Sequence, residues 1–208
     1  MRGLSEPLAF AKTVRQLRID DRDALRLARV LLFETVRRKN FIDAFISEAL
    51  QPMELDNLGL GIRAFLSLFV YSTRFSDRWS EPDLKQAETF VRIGRSILGW
   101  KAFLPVERYL GILLTQKSSV VFADKNDETR FALQTFHPEW FVEYCFRLFG
   151  RQDALNFLES DISSLPIYIR LNTMKAAEND ILKKLADDGT EIEKVERMKF
   201  CYKVLKTK

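Results

Sequence analysis

Cysteine and histidine are nearly missing from this chain. Its 208 residues include two cysteines, Cys145 and Cys201, and one histidine, His137. That stock excludes a cage of Cys and His ligands around a metal. It also makes any Ser-His-Asp arrangement depend on His137 alone. Low cysteine use fits a reducing cytosol, so a cytoplasmic location is expected. No apolar run reaches the ~18 residues of a membrane span, and the N-terminus lacks the apolar core of a secretory signal. There is no GxGxxG and no GxxxxGK[ST], and Gly59-Leu60-Gly61 is too short to be a phosphate loop. With 8 Gly and 6 Pro, turn-formers are scarce.

What is present is large and apolar. Phenylalanine accounts for 17 residues, and hydrophobic residues make up 47% against 30% charged. Many bulky side chains with few turn-formers point to helices packed on helices. A chain of this length forms one large domain or two small ones, and can bury roughly 70% of its unfolded surface. The net charge is +4. It is uneven: residues 1–136 hold 21 Lys/Arg against 17 Asp/Glu, and residues 137–208 hold 12 of each. A basic excess of this kind suits an acidic partner, nucleic acid first among them.

Residues 5–116 read as successive amphipathic helices. A first covers Glu6 to Leu17. A second runs from Asp21 to Arg37, with Asp20 as its cap and Asp23 completing a box-like start. A third opens at Asn40, buries Ile42, Phe45, Ile46 and Ala49, and ends at Pro52. A fourth follows Asn57, with Ile62, Phe65, Leu66 and Phe69 inward and Gly59 and Gly61 allowing close helix approach. Two more span Pro82 to Leu98 and Pro105 to Leu114. Residues 117–136 are polar and uneven, and read as a linker. After it the rhythm changes. His137-Pro138 starts a helix with Trp140, Phe141, Tyr144, Cys145 and Leu148 in an apolar stripe, stopped by Gly150. Ile167, Ile169 and Leu171 alternate with Tyr168, Arg170 and Asn172, the period of a half-buried strand. A helix from Glu178 to Asp188 stops at Gly189, and strands follow at Ile192–Val195 and Phe200–Leu205. The fold class expected is mainly α: a helical bundle over 1–116, a linker over 117–136, and a small α+β unit over 137–208.

Arg22, Arg26 and Arg29 recur at i, i+4 and i+7, and Arg37, Arg38 and Lys39 end the same helix. Guanidinium groups in a row match phosphate spacing and offer bidentate bonds. A solvated face with ion pairs to Asp20, Asp23 and Glu34 accounts for the same residues. Arg170, Asn172 and Lys175 leave a strand together and can meet a nucleic-acid backbone, although Asn172 and Thr173 are also good turn and cap residues. His137 at a helix start suits capping or packing better than acid–base work. Cys145 on an apolar stripe reads as a small buried residue. Cys201, between Lys199 and Lys203, has no base nearby. No catalytic residue, metal site or cofactor site is expected.

Three stretches carry a family resemblance: His137-Pro138-Glu139-Trp140-Phe141-Val142, then Phe149-Gly150, then Ile169-Arg170-Leu171-Asn172-Thr173-Met174-Lys175. They resemble the block that precedes the catalytic domain in Sun-type RNA cytosine-5 methyltransferases. Arg22 to Asp43 and Gly61 to Phe69 are similar to the NusB-like helical domain that opens many members. The resemblance implies a NusB-like RNA-binding bundle followed by a partial RRM-like accessory domain. The family's S-adenosylmethionine loop, its Asp-Ala-Pro-Cys block and its Thr-Cys element have no counterpart here, so S-adenosylmethionine is expected only with a catalytic domain this sequence lacks. The implied function is the RNA-binding N-terminal region of an RNA 5-methylcytosine methyltransferase, inactive alone, acting on rRNA or tRNA. The alternative is a stand-alone NusB-like adaptor for RNA or protein partners in transcription or ribosome assembly.

Overall fold

The structure is a computed structural model that describes residues 5–75, 84–162 and 166–207. Pro82, expected to open the fifth helix, and Lys208 lie outside them. The described chain divides into two compact units, Met1–Leu155 and Asn156–Lys208. It is mainly α, with one small antiparallel sheet.

The first unit is a bundle. Its helices are α1 (Glu6–Leu17), α2 (Arg22–Arg37), α3 (Lys39–Leu50), α4 (Leu60–Arg74), α5 (Leu84–Leu98), α6 (Trp100–Phe103), α7 (Glu107–Thr115), α8 (Asp127–Gln134) and α9 (Glu139–Phe149). Helix α10 (Arg151–Ile162) runs across the boundary between units. The centre is built from α3 and α4. Phe41, Ile42, Phe45, Ile46 and Leu50 of α3 meet Phe65, Leu66, Phe69 and Val70 of α4, all buried. Burying each such side chain contributes about 1.5–3 kcal/mol. Phe41 gathers Phe45, Phe75, Phe122 and Phe136 at ring-centroid distances of 5.4–6.2 Å, which is where much of the phenylalanine is spent.

Glycine sets two close approaches. A Cβ at Gly94 of α5 would lie 2.6 Å from both Phe103 and Phe65. One at Gly61 would lie 2.8 Å from Leu98, as expected for helices in tight contact, whereas Gly59 is the N-cap of α4 and has open space around it. Arg74 finishes the other end of the core. Its guanidinium donates to the carbonyls of Leu113, Leu114 and Gln116 at 2.7–2.8 Å, satisfying the C-terminal end of α7.

Two local expectations change. The cap of α2 is Asp21, one residue later than expected: its carboxylate accepts from the amides of Asp23 and Ala24 at 2.9 and 3.0 Å. Residues 117–136 are packed, not strung between domains. They form a 3₁₀ turn over Ser118–Phe122 and then α8, which put Val121 and Leu133 into the bundle core. Asn126 caps α8 through the Thr129 amide, and Asn40 ties the segment down by donating to the carbonyls of Ala132 and His137, both at 2.8 Å. Scattered apolar residues among polar ones hide such a segment from any periodicity.

The second unit follows its expected order. Strands β1 (Ile167–Arg170), β2 (Glu191–Lys194) and β3 (Cys201–Lys206) enclose α11 (Glu178–Asp187) in sequence, and β3 lies between β1 and β2. Both pairings are antiparallel, with Ile169 opposite Tyr202 and Arg170 opposite Cys201. A split β-α-β with a hairpin strand inserted is one half of a ferredoxin-like arrangement. Tyr202 is buried, and its hydroxyl donates to Glu178 at 2.5 Å. Leu171 is buried, and its amide donates to the Phe200 carbonyl at 2.8 Å.

Candidate nucleic-acid interface

Arg22, Arg26 and Arg29 are exposed on α2. None of the three makes an ion pair among the described residues. The acids that sequence offered as partners are not engaged with them: Glu34 is taken by Arg38. Arg29 stacks over Phe33, 5.7 Å from the ring centroid, and Phe33 meets Phe10 of α1 at 6.5 Å. That stacking fixes one guanidinium in place with its donors still outward. Arg37, the last residue of α2, is exposed.

Arg38 does something else. It is half-buried at the end of α2, pairs with Glu34 on the previous turn, and lies 5.2–5.7 Å from the ring centroids of Tyr71, Phe75 and Phe136. A guanidinium in an aromatic cage holds the bundle together and has little left for a phosphate. Lys39 is exposed but pairs with Asp43 one turn on. So the structure brings together three unpaired arginines and separates from them two cations that are already occupied.

In the second unit Arg170 is exposed at the end of β1, and Asn172 and Lys175 are exposed in the turn beyond. The Asn172 side-chain oxygen accepts from the Met174 amide at 3.2 Å, so this residue shapes the turn. Its amide group is still exposed. Arg170 to Met174, with Phe200, line a shallow cleft of about 310 Å³.

His137 packs on Phe141 at 5.4 Å, and its carbonyl is a tether point for Asn40. Cys145 is buried, and burial pushes its thiol up. Cys201 is half-buried in β3 opposite Arg170. Among the described residues no group of His, Cys, Asp and Glu is arranged to hold a metal, and no helix is long and apolar enough to cross a membrane.

One surface was misjudged from sequence. On α9 the expected apolar stripe is split: Cys145 is buried and Phe141 half-buried, but Trp140, Tyr144 and Leu148 are 67%, 46% and 56% exposed, and Val142, outside the stripe, is buried. The helix is apolar around most of its circumference, so hydrophobic spacing alone does not choose the inner face. That all-round pattern was itself the available signal.

Residues 137–206, a third of the chain, match the family model of the ferredoxin-like domain of RsmF/B-like methyltransferases, so this stretch is similar to that domain. Over 96% of its length the chain also superposes on a solved structure titled "Crystal Structure of PH0851", with a TM-score of 0.54 and 22% identity, a likeness of fold. The chain spans about 44% of the length of that protein. No curated protein matches it.

Proposed function

We propose that this chain is the RNA-binding N-terminal region of an S-adenosylmethionine-dependent RNA 5-methylcytosine methyltransferase, working in the cytoplasm on rRNA or tRNA. The observation that carries the reading is the family match over residues 137–206, which joins the methyltransferase class to an exposed basic turn at Arg170, Asn172 and Lys175. The unpaired Arg22, Arg26 and Arg29 in the other unit supply a second set of phosphate contacts. Such contacts position an RNA without reading its sequence. The chain itself runs no methyl transfer, because nothing in it corresponds to the family's cofactor loop or its catalytic cysteines. The alternative is a stand-alone adaptor that binds a protein partner.

Binding of a structured rRNA or tRNA fragment tests the reading. Arg22/Arg26/Arg29→Ala should weaken binding and flatten its salt dependence. An unchanged affinity in that triple variant sinks the stripe assignment. Wild-type chain that binds no RNA at all favours the adaptor.

A further inference from the structure

Among the described residues, the Trp140–Tyr144–Leu148 face of α9 is exposed. Trp140 and Tyr144 lie one turn apart on the same side, about 6 Å along the axis. Arg147, also exposed, places its guanidinium over the Tyr144 ring at 5.8 Å from the centroid. Arg147 makes no ion pair among the described residues.

We propose that this face is a stacking platform for single-stranded RNA, with one base on Trp140, the next on Tyr144, and Arg147 holding the phosphate near the second. The proposal rests on the RNA-binding reading above and adds to it a surface that reads neither charge alone nor sequence. The observations favour bases over a protein partner for three reasons. Two of the three side chains on this face, Trp140 and Tyr144, are aromatic and exposed, and every base has a π-face to lay on them. The cation is parked on one of those rings, so ring and charge form one unit. The face is edged on one side by charge, at Glu143 and Arg147, whereas a protein-docking core is depleted of charge. Glu139, one turn before Glu143, is engaged by the Thr129 hydroxyl.

The test uses the full chain and a fluorescein-labelled twelve-nucleotide oligouridine, read by anisotropy across a salt series. Trp140→Ala and Tyr144→Ala should each weaken binding by about 5- to 100-fold, the loss typical of one stacked base. Because stacking releases no counterions, the slope of log K against log salt should stay unchanged in both. Trp140→Tyr should keep most of the affinity. Saturating oligouridine should also quench a component of the wild-type tryptophan emission that is missing in Trp140→Tyr; this readout serves if an alanine variant fails to fold. Wild-type affinity in both alanine variants, with equal quenching in wild type and Trp140→Tyr, overturns the platform and assigns the face to a protein partner. If the Arg22/Arg26/Arg29 triple variant is weakened at the same time, the RNA reading stands without the platform. No binding of oligouridine or structured RNA by the wild type overturns both.

Discussion

A methyl group at Gly94 would collide with two buried rings, Phe65 and Phe103, at 2.6 Å. Helix propensity pulls the other way, favouring Ala over Gly by about 0.8–1.0 kcal/mol. Overpacking a tight core costs about 1–3 kcal/mol. Phe103 is fully buried and has nowhere to retreat, so the steric cost prevails. Gly94→Ala should lower the urea midpoint, by about 1 kcal/mol net. A raised midpoint would mean the rings yield. The same residue-level contrast separates two arginines that look alike in sequence. Arg38→Ala removes a guanidinium from among three rings and leaves Glu34 without its partner. It should destabilise the bundle by about 2 kcal/mol and leave the salt slope of RNA binding alone. Arg29→Ala should do the reverse: near-neutral stability, and a slope smaller by about 0.7. Charge spacing made these residues visible, but aromatic contacts from Tyr71 and Phe75 at the end of α4 and from Phe136, two residues beyond α8, decide which is free, and those contacts are long-range.

At the scale of elements, much of the fold was legible. The third and fourth helices and all three strands fall close to where apolar period placed them: the two helices bury a continuous apolar face, and the strands alternate between clear turn residues although β1 and β2 bury no residue. Legibility failed where that condition failed. Helix α9 has apolar residues on both faces, so the period could not say which one packs. The 117–136 segment has short, irregular pieces whose burial depends on α3, a neighbour distant in sequence. The cap of α2 slipped because Asp20 and Asp21 are chemically equal there, and only backbone direction chooses. One contact between elements makes a pH prediction. The Tyr202 hydroxyl of β3 is held by the Glu178 carboxylate of α11, and this hydrogen bond, aided by burial and the negative charge, raises the phenol above its ordinary value near 10. A raised folded-state value means the pair's stabilisation is complete below about pH 10 and is lost as pH climbs through the folded value. Wild type should therefore lose more stability between pH 8 and pH 11 than Tyr202→Phe does, by urea unfolding at both values. Equal losses would show that the bond contributes nothing to the α11–β3 contact.

For the whole molecule, the informative quantity is how charge is shared between two units. The net +4 resides in residues 1–136, and residues 137–208 sum to zero. Net charge therefore assigns all RNA attraction to the bundle. The exposed cations say otherwise, since Arg170 and Lys175 stand together in the second unit with the acids of α11 and β2 elsewhere along the chain. Counterion release depends on phosphates contacted, not on net charge, and each contact to a single strand contributes about 0.7 to the slope. Arg22/Arg26/Arg29→Ala should then reduce the slope by about 2, and Arg170/Lys175→Ala by about 1.4. If both units hold one RNA, the five-fold variant should lose the sum, about 3.5, because the two sets share no partner. A loss confined to the first set would make the bundle the whole interface. Equal slopes in wild type and all variants would remove phosphate contact from both units and leave protein partners as the reason for the exposed arginines.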